Sequence, residues 1–403
     1  TASRFAGSVM WLLEDSPYEE RAVIEDPDGG GSVTGTVRSR KHLPSVPTGA
    51  SWYVATSGND ANTGSSSSPF RTLTRAASVA QAGDAIRVRP GIYYETLDTP
   101  RSGTANSPIH LIAEGPGVIL DGSDPAYLRR PDWRADGGGI YSVPYTGVTR
   151  LVCADSLQRL YKQGTLAALQ TNANGVSQGW AAEGGRLYVK LEDGSSPQGH
   201  VLHVALLDYG IFLDMNYWRV SGFEVRYFGT TAAASGLTFR GSIGCEALNN
   251  YVFTCAGRPI FMRVVASDNL VEGNTCMDPR ISTWPWAAVK SHDEEGAAIL
   301  NRAGRGNVIK NNIVRGTFDG LAGGGDYTTE DVGSDGDYIG NAVEGIGDDG
   351  IETDDYSAIN VRVIGNRFNS TFNAISIAPI TQGPYYAVHN VFSNHVKGGV
   401  KAS

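Results

Sequence analysis

Residues 345–355 read GIGDDGIETDD, and five of the eleven side chains are carboxylates: Asp348, Asp349, Glu352, Asp354 and Asp355. Crowded carboxylates have two chemical uses. They can supply the oxygen ligands of a hard cation such as calcium. Alternatively, one of them keeps its proton and acts as an acid beside an ionised neighbour. Asp and Gly also favour turns on their own account, so a solvated turn is the plain alternative. What decides among these is what the rest of the chain sets beside the stretch.

From residue 217 on, six asparagines recur: Asn250, Asn274, Asn312, Asn341, Asn366 and Asn390. A repeat of this size marks a solenoid with one coil per repeat. Asparagine tolerates the left-handed backbone of a tight corner, and its amide can bond to the amide in the next coil. A second register precedes the asparagines, a small or turn residue followed by an apolar one: Gly236-Leu237, Pro259-Ile260, Gly296-Ala297, Gly320-Leu321, Gly350-Ile351 and Ala374-Ile375. The apolar member is expected to face the core. The residue before each pair then stacks on the outer wall, giving the column Glu295, Asp319, Asp349 and, one coil later, Asn373.

Adjacent coils lie about 4.8 Å apart. Two unit charges about 5 Å apart at an effective dielectric near 20 repel by roughly 3 kcal/mol. A stack of three carboxylates, with Asp348, Glu352 and Asp354 beside it, is therefore expected to serve a cation or a proton rather than stability.

Residues 71–81 place Leu73, Ala76, Ala77 and Ala80 on one helical face, with Gly83 to stop the helix. With the period-two run at 84–95, this order resembles the N-terminal cap of secreted right-handed parallel β-helix proteins, where the helix plugs the open end. The expected fold is thus all-β: a right-handed parallel β-helix solenoid over 52–403 with a short capping helix. Residues 125–207 break the repeat and predict an insertion, with β-hairpins at 150–164 and 184–206 and an irregular loop at 165–183. Residues 1–42 resemble the last strands of an immunoglobulin-like or fibronectin type III domain, with 43–51 as linker.

Two further resemblances concern chemistry. "DDGIE" (348–352) and "FDGL" (318–321) are similar to the "DDG-x-D" and "ADGF" motifs of a β-helical, calcium-dependent pectate lyase family. That likeness implies calcium ligands at Asp319, Asp348, Asp349 and Glu352 and β-elimination on an acidic polysaccharide. It also implies a lysine base where this chain has Ser376; Lys290 and His292 are the other candidate bases, and an ordinary solvated loop is the alternative for each. "GIETD" and "QGPYYAVHN" (382–390) resemble β-helical β-xylosidases, which implies a nucleophile at Asp354 and an acid/base again near Ser376. A third reading is a non-catalytic glycan-binding or structural β-helix. Trp284, Trp286, Tyr327 and Tyr356 fall in loops between coils, where they could stack on sugar rings.

The composition agrees with these expectations. The chain has 403 residues, 41% hydrophobic, with 51 glycines for many turns. A pI near 5.3 gives no basic face for nucleic acid. No run of 18 apolar residues suggests a membrane span, and a secreted, bacterial-type protein is expected. Cys153, Cys245, Cys255 and Cys276 fit no zinc spacing and are expected as buried thiols.

Overall fold

A computed structural model describes residues 9–25, 27–302, 304–323, 333–353, 359–377, 380 and 383–402. Three parallel sheets of nine, ten and nine strands wrap one elongated core, each coil giving a short strand to each wall. The chain is a parallel β-solenoid.

The coils are locked by side-chain amides at one corner. Asn250 Nδ2 donates to Asn274 Oδ1 (3.0 Å), and the same contact continues to Asn312 (3.1 Å), Asn341 (3.0 Å), Asn366 (2.9 Å) and Asn390 (3.0 Å). The backbone N–H of each residue also donates to the next Oδ1, at 2.8–2.9 Å. Asn250 to Asn366 are buried. A second corner carries a shorter ladder that the repeat did not reveal, from Asn269 to Asn307 (3.1 Å).

The core column of the first wall runs Leu237, Ile260, Ile299, Leu321, Ile351 and Ile375, and Val400 continues the register in the last coil, where it is exposed. Five of the six predicted pairs hold this register. The sixth is shifted, because Ile299 rather than Ala297 takes the core position. The larger side chain buries more apolar surface, and full burial of such a residue is worth about 1.5–3 kcal/mol. The glycines before the apolar residues are a packing requirement. A Cβ on Gly320 would lie 2.5 Å from Val343 Cγ1, and one on Gly350 would lie 2.6 Å from Phe368 Cδ1 and from the Ala374 carbonyl oxygen. Gly350→Ala is accordingly expected to lose about 1–3 kcal/mol by overpacking. Gly398→Ala, where nothing lies within 4 Å of the new Cβ, should leave the urea midpoint in place.

The capping helix spans Leu73–Val79, with Thr72 as N-cap and Leu73, Ala76 and Ala77 buried. Before it, strands Pro17–Ile24 and Gly31–Arg38 pair antiparallel; among the described residues no third strand joins them. Arg40 ties the following segment to the solenoid by donating to the Asn269 and Gly306 carbonyls, both at 3.0 Å. The four cysteines are buried and unpaired with one another. Among the described residues, no helix is long and apolar enough to cross a membrane.

The insertion has a core of its own, including Trp133, Val143, Trp180, Leu187 and Val189. Strand Val152–Ala154 pairs with Gln158–Arg159, as the expected hairpin at 150–164. The expectation for 184–206 needs correction. Arg186–Lys190 pairs with Gly179–Glu183 and Ile140–Pro144, while Leu202–Val204 joins Val152–Ala154. The two halves of 184–206 thus belong to different sheets. Residues 165–183 are likewise ordered, with helix Leu166–Thr171 and strand Gly179–Glu183.

Candidate active site

Strands Asp319–Gly323, Asp349–Glu352, Asn373–Ser376 and Gly398–Lys401 lie side by side on the first wall. Alignment of Leu321 with Ile351 sets Asp319 beside Asp349, and Asp349 aligns with Asn373. The column continues to Ala297 on the other side. Glu295 is therefore not in it, a correction that follows from the Ile299 shift. Glu295 sits two residues earlier and accepts from Lys290 Nζ at 2.8 Å.

Asp319, Asp348 and Asp349 are buried. The Asp349 N–H donates to Asp319 Oδ1 at 3.2 Å, and Asn373 Nδ2 donates to Asp349 Oδ1 at 2.7 Å. Burial pushes the Asp319 carboxyl well above the usual carboxylate range, and the charges of Glu352, Asp348 and Asp349 push it the same way.

Two ammonium groups face the cluster. Lys290 Nζ lies 3.4 Å from Asp348 Oδ2, and Lys401 Nζ lies 3.7 Å from Asp349 Oδ2. Burial works against the charge on Lys290, but Glu295, Asp319 and Asp348 overcome it, and its pKa is raised. As it stands, Lys290 is a charge partner and a poor proton acceptor. Lys401 was not singled out by its sequence. It occupies the register of Glu352 and Ser376, one coil beyond Ser376. The signal was present as Gly399-Val400, one more small–apolar pair followed by the lysine.

His292 points elsewhere. Ser291 has a positive φ of 63°, which reverses the chain between Lys290 and His292. The imidazole pairs with buried Glu294 through Nδ1 and stacks on Tyr161 of the insertion at 4.9 Å. The Glu294 hydrogen bond raises its pKa. The same segment is braced from the insertion by Arg150 and Lys162 on Asp293, by Tyr161 Oη on the Ala288 carbonyl (2.7 Å), and by the buried Arg159–Asp278 pair (2.8 Å).

Among the expected aromatics, Trp284 is buried edge-on against Tyr161 at 5.1 Å and is not available for stacking. It fills the joint between insertion and solenoid. Trp286 is 43% exposed and stacks on Phe372 at 6.0 Å. Lys290 and Lys397 lie 5.9 Å from the Trp286 ring and 5.0 Å from the Phe372 ring. This aromatic ridge with two cations was legible only at Trp286. Asp354, Asp355, Tyr327 and Tyr356 lie outside the described residues.

Asp319, Asp348, Asp349 and Glu352 have the oxygen chemistry calcium prefers. Among the described residues, however, no group of three or more His, Cys, Asp or Glu side chains is arranged to hold a metal ion. Two of these carboxylates instead have ammonium partners, Asp348 with Lys290 and Asp349 with Lys401.

A solved structure described as XylC with xylose is similar with a TM-score of 0.55 and 15% identity, over 88% of this chain and 70% of that one. Pectate lyase Pel9A gives 0.53 and 16%, over 89% and 79%. A glycoside hydrolase gives 0.54 and 12%, over 87% and 97%. The shared feature is the fold. At these identities the likeness establishes the parallel β-helix and leaves the chemistry to the residues. The family described as "Protein of unknown function (DUF1565)" matches residues 56–99, the region of the cap. "Uncharacterized protein YwoF" of Bacillus subtilis (strain 168) is 41% identical over 75 residues, which is 18% of this chain and 16% of that protein.

Proposed function

We propose that the protein is a secreted carbohydrate-active enzyme that hydrolyses glycosidic bonds of a polysaccharide at the Asp319–Asp349 wall. The observation that carries this reading is a buried carboxyl, Asp319, whose pKa is raised by burial and by neighbouring charge, stacked beside Asp349 on the adjacent coil. Environments that push two neighbouring carboxyls apart in acidity provide an acid and a base from one residue type. Adjacent coils, about 4.8 Å apart, approach the spacing of about 5–5.5 Å used by retaining glycosidases. In this reading Asp319 protonates the leaving oxygen. Asp349, held by Asn373 and Lys401, attacks the sugar or stabilises its positive charge. The Trp286–Phe372 ridge supplies a stacking surface, and Lys290 and Lys397 favour a polymer that carries negative groups.

A second reading, calcium-assisted β-elimination of a uronate polymer, is favoured by one observation: Lys401 stands on the acidic wall at the register of Ser376. In this reading Lys401 takes the proton beside the uronate carboxylate, and Asp319, Asp348, Asp349 and Glu352 are the residues that would have to rearrange to hold a calcium ion. One assay separates the readings. Pectate, alginate and neutral glycans are incubated with the protein, with and without calcium. New reducing ends without ultraviolet absorbance support hydrolysis. Calcium-dependent absorbance from a new double bond replaces it with elimination. Retention on a glycan column with neither signal points to a binding module.

Trp286→Ala is expected to raise KM by about tenfold with kcat nearly kept, as for loss of a stacking contact of about 1–1.5 kcal/mol. The melting temperature should barely move, because the side chain is partly exposed already. An unchanged KM would remove Trp286 from the substrate path.

A further inference from the structure

The insertion holds a second constellation, remote from the carboxylate wall in sequence. Ser195 Oγ lies 3.1 Å from His200 Nε2, and His200 Nδ1 lies 2.7 Å from Asp155 Oδ2. These are the distances at which a hydroxyl, a base and an orienting carboxylate act together. The three residues come from two loops joined by the bond from the Val201 N–H to Asp155 Oδ1 (3.0 Å) and by the Asp155 N–H to the Val201 carbonyl (2.7 Å).

Asp155 and His200 line a cavity of about 350 Å³ with Ala154, Leu160, Leu191 and Arg280. Ser195 is not itself a lining residue and meets the cavity through its contact with His200; the aliphatic members of the lining suit a short acyl chain. Arg280 Nε is buried and has no hydrogen-bond partner among the described residues, although its Nη2 binds Glu192 at 2.8 Å. The N–H of Ser196, directly after Ser195, donates to no group in the described residues. Donors of these two kinds can stabilise an oxyanion.

We propose that Ser195, His200 and Asp155 form a hydrolytic site for short-chain acyl esters. Ser195 Oγ bonds to the acyl carbonyl carbon while its proton passes to His200 Nε2. The ester C–O bond then breaks, and His200 returns the proton to the departing alcohol. Water, deprotonated by the same imidazole, adds to the acyl-serine carbonyl; the acyl–Oγ bond breaks, the imidazolium returns the proton to Ser195 Oγ, and the carboxylic acid leaves. Asp193 Oδ1 also accepts the Ser195 hydroxyl at 2.7 Å and the Ser195 N–H at 2.9 Å. Since Oγ already reaches both acceptors, only the hydroxyl hydrogen has to swing to His200. Asp155 is half-exposed, so the orienting effect is modest and the rate gain is expected at the lower end for acid–base catalysis, about a hundredfold.

The test uses the full chain with p-nitrophenyl acetate and butyrate, together with a fluorophosphonate probe read by peptide mass spectrometry. The expected result is turnover about a hundredfold above buffer, a probe adduct on Ser195, and loss of both in Ser195→Ala and His200→Gln. Asp155→Asn should lower kcat more than KM and shift the pH profile. Wild-type turnover no faster than buffer, no adduct on Ser195, or full turnover in Ser195→Ala would each overturn the proposal. The adduct is measured on wild-type protein, so a misfolded variant cannot imitate the negative outcome.

Discussion

Asp319→Asn should remove polysaccharide turnover while raising the melting temperature. The two effects have one cause. Asp319 is buried beside Glu352, Asp348 and Asp349, and desolvation and their charges raise its pKa well above the usual carboxylate range. An amide keeps the shape and ends the titration. It also lacks the proton that must reach the leaving oxygen, and loss of general acid catalysis costs about 10²–10⁴-fold. The linkage has a definite sign. A carboxyl whose pKa is raised on folding contributes most below its unfolded value, and that contribution is lost as pH rises through the folded value. The wild type should therefore lose stability relative to Asp319→Asn from about pH 4 upward, and the two melting curves should meet in acid. Turnover in the variant would move the acid elsewhere. A lower melting temperature near neutrality would mean that the Asp319 carboxyl is a structural acceptor first.

Asn312→Ala should be strongly destabilising, as expected for a middle rung of the ladder. Asn312 Oδ1 accepts from the N–H and Nδ2 of Asn274, and its Nδ2 donates to Asn341 Oδ1 and the Val271 carbonyl. Truncation strands several buried polar groups at once. A buried group left unsatisfied costs about 1–3 kcal/mol, so a total of about 4 kcal/mol is expected, a large part of the stability of a typical domain. Asn390→Ala, at a partly buried rung with a single ladder neighbour, should cost about 1 kcal/mol. Equilibrium urea unfolding of the two variants tests the gradient. Equal losses would show that the ladder does not carry the cooperativity.

Sequence spacing read the solenoid well because its determinants are local and repeated. An asparagine corner and a small–apolar pair recur in each coil, and the ladder and core column follow from them. The reading slipped at Gly296-Ala297, where two apolar residues competed for one core slot. Ile299 won by size, which took Glu295 out of the column. Asp319 and Asp349 were legible because each precedes a glycine that the core requires. Lys401 belongs to the same pattern, one coil past Ser376. The insertion was the least legible part. Arg186–Lys190 pairs locally with Gly179–Glu183 across Gly184-Gly185, but its second partner, Ile140–Pro144, lies far off in sequence and cannot be read from its neighbours. That blindness extended to His292 and Trp284, whose surroundings come from Tyr161.

The asparagine column also has a direction. In each step the carbonyl oxygen looks back toward the preceding coil and the amide hydrogens look forward to the next. Its amide dipoles therefore add instead of cancelling, and each hydrogen bond polarises the one after it. The shaft of the molecule thus carries a built-in electrical axis, with its positive pole toward the coils where the acidic residues gather.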